Sequence, residues 1–94
     1  MLVEYSEDAA DKLDFYERED RQLYDALYEI FDLIGAGSRE SFLRSHYLRP
    51  PGAYAVEVDV RGRSTDDRYY IFWAEEPGDV AFVKAIAATR TRLF

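Results

Sequence analysis

The sequence predicts an α+β domain, with a short N-terminal strand, a two-helix hairpin and then a three-stranded antiparallel meander packed on the helices. Three observations lead there. Leu23, Leu27, Ile30, Phe31 and Ile34 recur at the spacing of one helix face. Tyr54, Val56, Val58 and Val60 alternate with Ala55, Glu57, Asp59 and Arg61, the period of a strand with one buried side. Between two apolar runs, Glu76-Pro77-Gly78-Asp79 places Pro and Gly at the central positions that a type II turn prefers, which predicts a hairpin.

Taken in order, Leu2 to Tyr5 reads as a strand, and Ser6 followed by Glu7 and Asp8 supplies an N-cap and acids for the first turn of a helix. Within that helix Ala9, Ala10, Leu13 and Tyr16, with Phe15 beside them, form the apolar stripe, and Glu17-Arg18-Glu19-Asp20 marks its end or a tight bend. The second helix carries the Leu23 to Ile34 stripe and stops at Gly35-Ala36-Gly37, a left-handed terminator. Residues 38–52 show only a weak pattern. Phe42, Leu43 and Leu48 suit a helical turn, and Pro50-Pro51-Gly52 opposes both helix and ladder, so this stretch is read as a connector. Beyond the strand at 54–61 and a polar loop at 62–67, residues 69–74 are apolar throughout and aromatic-rich, as in a central strand covered on both faces. The hairpin turn then leads into a strand over 80–87, and the tail at 88–94 is left as either strand or helix.

With 94 residues the chain is one domain, 1–94, and its 48% hydrophobic content exceeds what a disordered chain carries. The absence of cysteine excludes disulfides, thiolate chemistry and Cys-based zinc sites. No apolar run approaches the roughly 20 residues of a membrane span, and the acidic N-terminus lacks a signal peptide's basic flank, so a soluble, cytoplasmic protein with no membrane association is expected.

Charge divides by position. Residues 1–36 hold 11 Asp/Glu against 3 Lys/Arg, whereas residues 37–94 hold 8 against 9. The helical half is therefore acidic, and the strands keep Arg61, Arg63, Arg68, Arg90 and Arg92, so an anionic ligand belongs on the sheet. Arg68 stands out because it opens the most apolar strand, where its guanidinium would emerge at a sheet end with Arg90 or Arg49 converging on it. The plain alternative is a salt bridge to Asp59, Asp66 or Asp67. Other clusters read as structural. Gly35-Ala36-Gly37-Ser38 ends a helix rather than opening one; Glu75, Glu76 and Asp79 suit a solvated turn better than a metal site; and His46 has no triad or ligand spacing around it. Tyr54, Tyr69, Tyr70, Phe72 and Trp73 are mainly core, but whichever of Tyr69/Ile71/Trp73 or Tyr70/Phe72 faces outward would lie beside arginines.

The order of elements, with an Arg opening the middle strand of the meander, resembles the RelE/ParE superfamily of bacterial type II toxins, including its HigB-like members. The matching segments are Val3-Glu4-Tyr5-Ser6 before an Ala-containing helix, Leu-Arg-Pro-Pro-Gly-Ala-Tyr at 48–54, Arg68-Tyr69-Tyr70-Ile71-Phe72, and Ala-Ala-Thr-Arg-Thr-Arg-Leu-Phe at 87–94. What the resemblance implies is a toxin neutralised by a cognate antitoxin protein. In ribosome-dependent members it implies an mRNA endonuclease that drives a ribose 2′-hydroxyl onto the adjacent phosphate, with no cofactor and no metal. Arg68 and Arg90 then fall at catalytic positions, and Arg49, Arg61, Arg63 and Arg92 would hold the nucleic acid. Phe94 stands where a Tyr is expected and Thr89 where some members have His, and Lys12 and Lys84 are the only lysines. Two alternatives accompany this reading: a ParE-like inhibitor of DNA gyrase without RNA chemistry, and a non-catalytic acidic α/β module that binds a basic protein.

Overall fold

The computed structural model describes residues 1–37, 45–48, 53–60 and 67–90. Along the chain run β1 (Leu2–Tyr5), α1 (Glu7–Glu19), α2 (Arg21–Gly35), β2 (Ser45–Leu48), β3 (Ala53–Val58), β4 (Arg68–Glu76) and β5 (Val80–Thr89). The α+β architecture with a leading strand and two consecutive helices is as the sequence predicts.

Each helix starts at a side-chain cap and ends on a backbone hydrogen bond. Ser6 caps α1 by accepting a hydrogen bond from the Ala9 N–H at 3.1 Å, and its hydroxyl donates to the Lys84 carbonyl at 2.8 Å, which ties the helix start to β5. Asp20 alone forms the hinge between the helices. Its backbone N–H closes α1 onto the Tyr16 carbonyl at 2.8 Å, while its side chain caps α2 by accepting from the Leu23 N–H at 3.3 Å. At the far end Gly37 adopts φ 65°, the left-handed terminator expected there, and donates to the Ile34 carbonyl at 3.0 Å.

The three-stranded meander turns out to be part of a larger, mixed sheet in the order β1-β5-β4-β3-β2. Two strands flank it. β1 joins parallel to β5, with Val3 opposite Ala81 and Tyr5 opposite Val83. β2 adds antiparallel to β3, with Tyr47 opposite Tyr54, in a stretch that the sequence presents as a connector. A four-residue edge strand gains its backbone partners from β3 and needs no apolar alternation of its own, which is why the pattern is weak there. The suggested helical turn at Phe42 and Leu43, the Pro50-Pro51-Gly52 break and the loop at 62–66 lie outside the described residues.

Both helices cover one face of the sheet. Ala9 and Leu13 of α1 and the full α2 stripe pack on Val56, Val58, Ile71, Trp73, Ala81, Val83 and Ile86. Each large side chain buried there contributes roughly 1.5–3 kcal/mol, and Trp73 is the largest that is fully buried. Phe15, placed beside the α1 stripe by its spacing, is instead 52% exposed. A bulge makes the core face of β5 continuous. Phe72 pairs with Ala85 and Trp73 with Val83, which leaves Lys84 as the extra residue, so that Val83 and Ile86 reach the same side although three positions apart.

The β4–β5 turn has Gly78 at φ 87°, as a type II turn requires, followed by Asp79 at φ 59° as a second left-handed residue. The Asp79 carbonyl accepts from the Leu2 N–H at 3.0 Å and so helps to position β1. Strand β5 continues to Thr89, which assigns the start of the tail to the sheet; residues 91–94 lie outside the described set. No helix among the described residues is long and apolar enough to cross a membrane.

Candidate functional site

The face of the sheet turned away from the helices is where the chemistry-bearing residues gather. Strand alternation decides which residues point there. Since Val56, Val58, Ile71, Trp73 and Ile86 face the helices, the opposite side receives Ala53, Ala55 and Glu57 from β3, Arg68, Tyr70, Phe72 and Ala74 from β4, and Ala85 and Ala87 from β5. Across it the register gives rows Ala55–Phe72–Ala85 and Glu57–Tyr70–Ala87, the first ring flanked by two alanines and the second by a glutamate and an alanine. Of the two aromatic sets weighed in the sequence, Tyr70 and Phe72 are thus the outward pair. Phe72 is half-buried, whereas Tyr70 is fully buried even on this side.

Arg68 ends that face. It stands opposite Thr89, two residues before Tyr70, and its guanidinium Nη1 reaches diagonally to Glu57 Oε1 at 3.0 Å. The side chains of Arg68 and Glu57 are 41% and 30% exposed, so the pair is neither sealed in the core nor fully solvated. Among the described residues the partner of Arg68 is Glu57 rather than Asp59 or Asp67, while Asp66 lies outside them. Arg90 emerges at the same end of the sheet, just past Thr89, and its Nε lies 3.6 Å from Asp67 Oδ1 with most of its side chain in solvent. The two described arginines at this end of the sheet, Arg68 and Arg90, are therefore each paired with a carboxylate.

Glu57 is the residue that sequence reasoning missed. It reads there merely as a polar position in the alternation; only the β3–β4 register, which sets it opposite Tyr70, brings it within reach of Arg68. Arg49, Arg61, Arg63 and Arg92 lie outside the described residues, as does Phe94; His46 falls in β2, with its side chain outside the described set. Glu75 and Glu76 close β4 beside the hairpin turn that contains Asp79, and among the described residues no three His, Asp or Glu side chains are grouped to hold a metal ion.

A second aromatic series crosses the helix-side face towards the other edge. Trp73 and Tyr54 stack at 4.7 Å between centroids, and Tyr54 meets the exposed Tyr47 at 5.1 Å. Partial burial raises the Tyr54 phenol above its ordinary range, with Glu75 and Tyr47 adding to the effect.

Comparison of the chain with protein-family models, curated proteins and solved structures found no match.

Proposed function

We propose that this chain is a toxin of the RelE/ParE type, held inactive by a cognate antitoxin, whose working surface is the Arg68 end of the sheet face turned away from the helices. The supporting observation is the Arg68–Glu57 pair, which sets a permanent cation beside a proton acceptor at the end of that face. In the endonuclease form of the proposal, Glu57 takes the proton of a ribose 2′-hydroxyl as its oxygen attacks the adjacent phosphate, and the 5′-oxygen leaves with a proton from solvent. The transfer neutralises Glu57. Arg68 loses its ionic partner at the moment when negative charge builds on the phosphoryl oxygens, and its guanidinium turns to them. Proton acceptance and charge stabilisation are thereby linked through one contact of 3.0 Å.

The test is inducible expression in bacteria, with growth, protein synthesis and mRNA 5′-ends followed together. Growth arrest with new mRNA ends is expected, and Arg68→Ala and Glu57→Gln are each expected to abolish both while the purified variants still melt cooperatively. Normal growth and synthesis on expression of the unaltered chain would overturn the toxin reading.

One observation favours a second form of the same reading. Arg68 and Arg90 are both already ion-paired and the net charge is −7, features that suit docking on a protein better than capture of RNA. A ParE-like inhibitor would block supercoiling by DNA gyrase and leave mRNA intact, so a supercoiling assay beside the cleavage map separates the two.

A further inference from the structure

We propose that the C-terminal half of α1, together with the adjoining start of β4, is a docking surface for an arginine-bearing segment of a partner protein. This is independent of the toxin reading, since it concerns the helix side of the molecule.

Single exposed apolar residues are common and need no explanation. Here the exposed residue begins a continuous aromatic run. Phe15 meets Tyr16 edge-on, with centroids 5.8 Å apart, and Tyr16 meets Tyr69 edge-on at 6.4 Å, so three rings lead from the outer face of α1 down to the sheet. Carboxylates border the run. Asp11 and Glu19, both exposed, flank Phe15 one helical turn away on either side, and Asp20 is close enough to Tyr16 to add to the rise in its phenol caused first by burial and next by Tyr69. The two cations of α1, Lys12 and Arg18, also stand one turn from Phe15, and each is drawn to an acceptor of its own. Lys12 Nζ donates to the Ile86 carbonyl at 2.8 Å and lies 3.3 Å from Asp8, and Arg18 Nε donates to the Asp14 carbonyl at 3.3 Å.

Aromatic faces bordered by carboxylates recognise a guanidinium, which stacks on the ring while its N–H groups meet the acids. The described residues contain this arrangement within the chain itself. On α2 the Arg21 guanidinium lies 5.1 Å from the Tyr24 ring centroid, and its Nε donates to Asp25 at 3.1 Å. Around Phe15 the aromatic and acidic parts are present on the surface. Charge then selects the occupant. A second copy would bring its own acidic helices against these, and RNA or an anionic membrane would be repelled in the same way, whereas a basic protein segment is attracted.

The test uses the full-length chain and an arginine–glycine repeat peptide as the probe, with lysine–glycine and aspartate–glycine repeats and a single-stranded RNA as comparisons. Backbone amide shifts are expected to concentrate at Phe15, Tyr16, Glu19 and Tyr69, with the arginine peptide bound more tightly than the lysine peptide. Phe15→Ala is expected to weaken the arginine peptide roughly threefold, as loss of an exposed cation–π contact would. Because Phe15 lies outside the core, its melting temperature should stay that of the parent. Tyr47→Ala, which removes an equally exposed ring from the other sheet edge, should leave binding unchanged. The proposal is overturned by equal binding of Phe15→Ala and the parent, by shifts spread evenly over Asp25, Glu29 and Asp32 of α2, by preference for the RNA, by self-association through Phe15, or by no binding.

Discussion

Separating Arg68 from Glu57 tests the site most directly, because the proposed chemistry depends on that contact being formed in solution. The perturbation is a double-mutant cycle of the parent chain, Arg68→Met, Glu57→Gln and the two combined, in which the non-additive part isolates the pair. With Nη1 and Oε1 3.0 Å apart, the bare attraction runs from about 1.4 kcal/mol at the dielectric constant of water to about 5.5 kcal/mol at an effective value near 20. Solvent decides where in that range the pair falls. Since 41% of the Arg68 side chain and 30% of Glu57 are exposed, screening removes most of the upper figure. Fixing two long side chains offsets part of what is left, so a coupling of about 1 kcal/mol is expected. Urea denaturation of the four proteins measures it, at low salt and again at high salt, where screening should reduce it by half or more. A low-salt coupling below about 0.3 kcal/mol would refute the reasoning. Arg68 would then be unpaired in solution, and the link between proton acceptance and release of the guanidinium would have no basis.

Two further outcomes follow from the helical layer. Asp20→Ala should cost about 1–2 kcal/mol in a thermal melt followed by circular dichroism, because this one side chain caps α2 at the hinge with α1; a loss too small to resolve would mean that the cap is not formed. Burial, then Tyr28, pushes the Tyr5 phenol up to about 12. The folded state therefore keeps a proton that the unfolded chain releases near pH 10, so this stabilisation is complete below about pH 10 and is lost as pH rises towards 12. Tyr5→Phe should flatten the fall in melting temperature over that interval, and an unchanged slope would assign the fall to other groups.

The helices were legible because the information lies within a few residues. Five apolar positions of α2 name its buried face, and Ser6 announces the start of α1. Sheet features that depend on distant partners were not. Strand β2 is defined by its register on β3, which pairs Tyr47 with Tyr54, and nothing within Ser45–Leu48 encodes that. The parallel pairing of β1 brings Leu2 to Val80, and the bulge at Lys84 shows only once both strands are in place. The same limit applied to the site. Arg68 was legible as a cation at the start of an apolar strand, but nearness in sequence suggested Asp59, Asp66 or Asp67 as partner, whereas antiparallel register brings Glu57 to the same face. Phe15 errs in the opposite direction, since helical spacing alone cannot tell a residue beside the sheet from one at the margin of the buried stripe.

The division of charge along the sequence becomes a division between sides of the molecule. Most of the acidic residues of 1–36 lie on the two helices, while Arg68 is on the sheet face turned away from them. The outer helix carboxylates are separated from that face by the helix layer, about 10 Å across, and by the sheet, which together exceed the Debye length of about 8 Å at physiological salt. At that ionic strength the acidic helices therefore oppose an anion at Arg68 only weakly, and among the described residues Glu57 and the neighbouring Asp67 are the negative charges that matter there. At low salt the whole molecule acts on the ligand. A basic segment on the Phe15 surface would then relieve the repulsion without touching Arg68, so the two surfaces are coupled through the field alone, and the coupling fades as salt is added. A contact-mediated link between them would persist in high salt. Salt dependence therefore distinguishes two independent surfaces on one small domain from a single switch.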